Sequence, residues 1–187
     1  MKIYILALIL LVSIKGFSQQ ENGSQIFWDN LKSQCGNAYE GAVLEAPEND
    51  SFRGKKLTIH IKKCSENTIK IPFSVGDDKS RTFILSKLNG RIQFKHDHRH
   101  EDGSPDEVTM YGGTTTNSGL PTIQFFPADQ ETADLIPYAS TNIWWVVLDE
   151  TSFTYNLRRI GTDRLFSIKF DLTKPVETPS PNWGWVD

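Results

Sequence analysis

The stretch Arg81-Thr-Phe-Ile-Leu-Ser-Lys-Leu-Asn-Gly90-Arg-Ile-Gln-Phe-Lys-His96-Asp-His98-Arg-His100 carries the fold in miniature. Asn89-Gly90 is the dipeptide a two-residue hairpin favours, because both central residues of that turn need positive φ. Side chains on a strand alternate faces with period 2. Ile92, Phe94, His96, His98 and His100 therefore share one face, and Arg91, Gln93, Lys95, Asp97, Arg99 and Glu101 share the other. The second face is wholly polar, so the first is the interior one, and three of the chain's four histidines point inward. Neutral imidazole is a metal ligand, a proton shuttle and a hydrogen-bond hub.

Outward from this hairpin the pattern repeats. Leu57, Ile59 and Ile61 align within 56–63, which turns His60 outward. Ile69, Ile71, Phe73 and Val75 align within 68–75. Segments 38–44, 81–87, 108–111, 122–126, 143–148, 153–159 and 165–172 read as further short strands. Trp144 and Trp145 face opposite ways, while Phe153, Tyr155 and Leu157 face one way. Segment 112–119, with Gly112-Gly113, reads as a loop or a glycine-broken strand, and 128–135 as a helical turn between prolines. One longer helix is predicted over 25–34, with Ser24 as its N-cap, Ile26, Phe27 and Leu31 as its buried stripe and Trp28 at the edge. Nine or ten short strands spaced 8–12 residues apart, without βαβ alternation, predict an all-β chain. The expected architecture is an antiparallel up-and-down barrel, lipocalin-like, with a short N-terminal helix; closure removes exposed strand edges. The alternative is a jelly roll or cupin-like sandwich, since cupins also place an H-x-H pair on an inner strand.

Lys2 followed by the apolar run 3–14 and Gly16-Phe17-Ser18 reads as a signal peptide spanning 1–18, too short for a comfortable membrane span. Removing 18 of 187 residues leaves 169, enough for a single barrel domain at 19–174 with a Pro/Trp-rich tail at 175–187. The expected location is periplasmic or extracellular, with no transmembrane segment after cleavage. In that setting Cys35 and Cys64 form a disulfide, closing a loop of about 30 residues and stabilising by about 3–4 kcal/mol. The net charge is −3 and no lysine/arginine block occurs, so no nucleic-acid partner is expected. The sequence leaves the oligomeric state open.

Six strings occur together: Cys35-Gly-Asn-Ala-Tyr-Glu-Gly41, Ile71-Pro-Phe-Ser-Val-Gly76 with Ser80-Arg-Thr82, His96-Asp-His-Arg-His-Glu-Asp-Gly-Ser104, Tyr111-Gly-Gly113, Phe126-Pro-Ala-Asp129 and Phe170-Asp-Leu172. In these the chain resembles a family of uncharacterised secreted bacterial proteins with an HDHRHEDGS-type motif. The resemblance implies export and no particular activity. The lipocalin-like label is an analogy of architecture, which does not fix function.

Three functions fit these residues. The first is a binding barrel whose small-ligand or metal site lies near His96, His98 and His100. Phe94, Tyr111 and Tyr155, with Trp144 or Trp145 and Phe166, would line a pocket, and the histidines would orient the ligand; a haem on one histidine is a special case. The second is a metal-dependent enzyme using the H-x-H pair, with a divalent ion such as zinc on His96 and His98. Their Cα atoms are about 6.6 Å apart on a strand. His100, about 13 Å from His96, is too far to share that ion, so Asp106 or Glu107 would complete the set. The third is a structural or interaction protein in which the histidines are hydrogen-bonded core groups. Non-enzymatic binding ranks ahead of catalysis, because no nucleophile motif or phosphate loop is present. Arg81, Arg158 and Arg159 could pair with an anion, but lone arginines in strands usually read as surface charges.

Overall fold

The computed structural model describes residues 22–185. The signal-peptide reading of 1–18 lies outside the described residues. Helix α1 (Gly23–Ser33) is followed by strands β1 (Ala38–Glu45), β2 (Leu57–His60), β3 (Lys63–Cys64), β4 (Thr68–Val75), β5 (Asp78–Leu88), β6 (Arg91–His98) and β7 (Tyr111–Thr114). Then come β8 (Ile123–Pro127), the short helix α2 (Gln130–Leu135), a 3-10 turn (Pro137–Ala139), β9 (Asn142–Leu148), β10 (Ser152–Arg159) and β11 (Leu165–Val176).

One antiparallel sheet runs in the order β7-β6-β5-β4-β2-β1-β11-β10-β9-β8, with β3 beside β4. Its two ends meet. Gly113 bridges Ala128, and the Asp129 amide donates to the Gly112 carbonyl at 3.0 Å. The result is a nearly closed up-and-down barrel; the jelly-roll alternative, which needs two facing sheets, does not describe a single continuous one. Closure depends on the absence of side chains at the seam. A Cβ on Gly113 would stand 1.7 Å from the Pro127 carbonyl oxygen, and one on Gly112 1.9 Å from that of Phe94. Residues 112–114 of the segment read as a loop or broken strand therefore form, with Tyr111, the strand that closes the barrel, whereas 108–110, expected as strand, lie outside it. Helix α2 holds it there: the Thr132 hydroxyl accepts from the Gly112 amide at 2.7 Å, and Lys95 Nζ on β6 reaches Asp129 at 2.6 Å and Glu131 at 2.8 Å.

The α1 end of the barrel is plugged. Phe27, Trp28 and Leu31 enter the core, whereas Ile26 is only half-buried and Trp28, expected at the edge, is 1% exposed. The helix begins two residues before the expected start, with Asn22 rather than Ser24 at the N-cap. Tertiary packing sets that boundary: Gly23 lies against the Gly119 carbonyl, where any Cβ would clash, and the Ser24 hydroxyl donates to Gly90 O in the Asn-Gly turn. Asn89 (φ 51°) and Gly90 (φ 75°) have the positive φ that turn requires. Cys35, just after α1, is disulfide-bonded to Cys64 on β3, with Cα atoms 6.2 Å apart.

The barrel interior is aromatic, with Phe73, Phe83, Phe94, Phe126, Phe153, Phe166 and Phe170 all buried. His60, expected to face outward into solvent, is instead 7% exposed. The C-terminal segment lies against the outer face of the neighbouring strands β4 and β5. There the Asn182 amide donates to Phe73 O at 3.2 Å and Arg81 O at 2.7 Å and accepts from Ser74 Oγ at 3.1 Å. Ser74 pairs with Thr58 on β2, both are buried, and His60 shares their face by alternation. The Trp183 amide donates to Lys79 O, and Lys62 Nζ sits 4.7 Å from the Trp185 ring centre. β11 itself runs on to Val176, pairing Pro175 with Tyr39, so the tail leaves the sheet after 176.

Candidate functional site

The end of the barrel opposite α1 contains a cavity of about 300 Å3. Its base is the far end of β6, its walls are β5, β9, β10 and the start of β11, and its rim is the 50–52 loop, Val108 and the 3-10 turn. Alternation along each strand selects the lining. Arg81 and Phe83 come from β5, His96 and His98 from β6, Trp144 from β9, and Tyr155, Leu157 and Arg159 from β10.

A chain of hydrogen bonds forms the polar floor. His96 is 3% exposed. Its Nδ1 lies 3.1 Å from the Tyr111 carbonyl, which only accepts, so Nδ1 carries the proton. Its Nε2 lone pair then accepts from the Tyr155 hydroxyl at 2.9 Å. The Tyr111 hydroxyl, in turn, lies 3.0 Å from His98 Nε2. The Tyr111 ring stacks on His96 at 4.7 Å, and Trp144 and Phe94 flank the same imidazole at 5.2 and 4.7 Å. Met110 positions Tyr111 through a left-handed residue (φ 57°), with its amide bonded to His96 O at 2.6 Å. Such a conformation costs a non-glycine residue about 1–2 kcal/mol, and strain of this kind collects where a fold holds a side chain in a set position.

The floor is electrically neutral. Burial holds His96 down to about 3, so it is uncharged at neutral pH. Burial, and then the nearby Arg81 charge, also lower His98. Burial pushes the Tyr111 phenol up to about 12 and raises Tyr155 well above its ordinary value. The rim, in contrast, is cationic. Arg81 pairs with Asp78 at 2.6 Å and lies over the Phe52 ring. Arg159 donates to Asn142 at 2.9 Å and lies over Tyr138. Arg164 completes the group.

The residues expected at a site are distributed unevenly. His96, His98, Tyr111 and Tyr155 line the cavity, together with Trp144 and Phe166. Trp145 faces outward against Phe125. Phe94 is fully buried beneath the floor, against Phe83 and Phe126, and does not line the cavity. His100 is exposed and lies apart from it. β6 ends at His98, and the turn in which Gly103 N bonds His100 O carries the chain off the strand path, so alternation stops there. His96 and His98 share the interior face, but both ring nitrogens of His96 are engaged. Asp106 caps the Val108 amide and Glu107 is exposed. Among the described residues no three His, Cys, Asp or Glu side chains converge as an ion site.

Arg81 and Arg159, read from sequence as surface charges, line the cavity; Arg158 does not. The signal was present in the alternation: Arg159 is in phase with Phe153, Tyr155 and Leu157, and Arg81 with Phe83. Asn142, the first residue of β9, is likewise in phase with Trp144. Arg164 and the 50–52 loop carry no such periodic mark, because turns and long connections bring them to the rim.

No protein-family model, curated protein or solved structure matches this chain. Among the described residues no helix is long and apolar enough to cross a membrane.

Proposed function

We propose that this chain is an exported barrel that binds a small organic molecule in the cavity at its open end. The observation carrying this reading is the contrast between the two ends. One is filled by Phe27, Trp28 and Leu31; the other keeps about 300 Å3 open between aromatic walls and a neutral hydrogen-bonding floor. A concave, mostly apolar site with a few convergent polar groups is the usual form of a small-molecule pocket. Phe83, Trp144, Tyr155 and Phe166 offer ring faces, and His98 offers the imidazole that orients the ligand. His96 acts on the ligand indirectly, since its two nitrogens fix Tyr111 and Tyr155. Export is supported by the disulfide, which persists in oxidising compartments, and by the resemblance carried by His96–Ser104.

Calorimetric titration with 1-naphthamide, a neutral two-ring amide, tests this reading. The expected result is saturable binding to the purified protein. Affinity should fall at least about tenfold in Val108→Trp, which fills the rim from an exposed position and spares the core. Absence of binding at millimolar concentration, or unchanged affinity in Val108→Trp, would overturn it.

A further inference from the structure

The β10–β11 hairpin directs two arginines into one cavity. The Arg159 amide donates to the Arg164 carbonyl at 3.1 Å, so the two residues face each other across the ladder, and both line the open end. Like charges placed opposite one another across a sheet are destabilising. A fold normally relieves this with a carboxylate, but among the described residues neither guanidinium forms an ion pair. Arg159 is held by uncharged groups only, Asn142 and the Tyr138 ring. Arg164 has less: its Nε is buried and makes no hydrogen bond. A buried donor without a partner costs roughly 1–3 kcal/mol and calls for an explanation such as an absent ligand. Asp50 is the lining carboxylate, and its Oδ1 is occupied by the Phe52 amide. Arg81, the third lining arginine, is already neutralised by Asp78.

We infer that Arg159 and Arg164 form an oxyanion subsite, and that the natural ligand is a small aromatic or otherwise apolar molecule bearing one carboxylate. This inference rests on the cavity being a ligand site. The anionic head would meet the two guanidinium groups at the rim. The apolar body would lie against Phe83, Trp144 and Phe166, above a floor that carries no charge to repel it. A planar guanidinium matches a carboxylate in two parallel hydrogen bonds, and charge-assisted bonds are about twice as strong as neutral ones.

The test compares 1-naphthoate with 1-naphthamide, which share the rings and differ in charge, by calorimetry on the wild-type protein, Arg164→Met and Arg158→Met. Arg158 neighbours the site but lies off the cavity, so it controls for the general field of the protein. The expected result is that naphthoate binds about tenfold or more tighter than the amide to wild type and to Arg158→Met, and that Arg164→Met removes most of this preference while holding the amide. Equal or tighter binding of the amide to wild type would overturn the oxyanion subsite and leave the cavity reading standing. Loss of the preference in Arg158→Met as well as Arg164→Met would also overturn the subsite, since only long-range charge would then be acting. If neither probe binds, the cavity reading itself falls. The wild-type comparison needs no variant, so it can still overturn the subsite if Arg164→Met fails to fold, and Arg158→Met then still tests the general field.

Discussion

Acidification should weaken this protein through His96 before its carboxylates titrate. The imidazole is buried and held down to about 3, against 6.5 for the free side chain. Between those values the unfolded chain binds a proton that the native state refuses. Stability therefore rises with pH through this window and is lost as pH falls. From pH 7 to pH 5 the native His96 stays neutral while the unfolded one becomes almost fully charged, which costs about 2 kcal/mol for this one group. His98, also lowered, adds to the loss in the same direction. Urea denaturation followed by near-UV circular dichroism at pH 7 and pH 5 measures the effect. At an m-value of about 2 kcal/mol/M, the wild-type midpoint should fall by about 1 M or more. In His96→Gln, which replaces the titrating ring with an uncharged amide, the loss of stability between the two pH values should be smaller by about 2 kcal/mol, or about 1 M in midpoint. Equal pH dependence in the two proteins would refute the claim that His96 is held neutral by burial.

Three further outcomes follow from the packing. Tyr155→Phe keeps the ring stack on Phe83 but leaves His96 Nε2 without its donor, so thermal melting should show a loss of about 1–3 kcal/mol. Gly113→Ala drives a Cβ into the Pro127 carbonyl. It should cost at least about 3 kcal/mol, beyond ordinary overpacking, and hydrogen exchange at the Asp129 amide should quicken as the seam parts; an unchanged melting curve would remove the seam from the account. Asn182→Ala deletes the bonds to Phe73 O, Arg81 O and Ser74, so a loss of about 1–3 kcal/mol on urea titration would mark the tail as a clasp, and an unchanged midpoint would not.

Period-2 alternation made the strands legible: segments 68–75 and 153–159 could be read almost to their ends, and the Asn-Gly turn fixed the register that faces Phe94, His96 and His98 inward. What alternation could not convey is where a strand stops and what covers its other face. His100 left the site because a turn begins after His98, and the outer face that His60 shares with Thr58 and Ser74 is buried, with Asn182, more than 100 residues away in sequence, bonded to Ser74. The closing strand was obscured because its two glycines lower strand propensity for the reason they are needed, namely the approach of two backbones. Half of the candidate site had a sequence signal, in the aromatic and histidine phases of β6 and β10. The cationic rim had one only for Arg81 and Arg159. Arg164 and Asp50 reach the cavity from connections, whose paths are set by closure of the barrel rather than by any local pattern.

The occupied cavity can be observed directly by the indole N–H resonances of the five tryptophans, assigned by single Trp→Phe variants, during titration with 1-naphthoate. Among the described residues Trp144 is the tryptophan that lines the cavity, while Trp28, Trp145, Trp183 and Trp185 lie elsewhere. A saturable shift of the Trp144 signal, with the other four unmoved, is the predicted result. No shift at Trp144, or equal shifts at Trp183 and Trp185, would contradict a ligand site at the open end of the barrel.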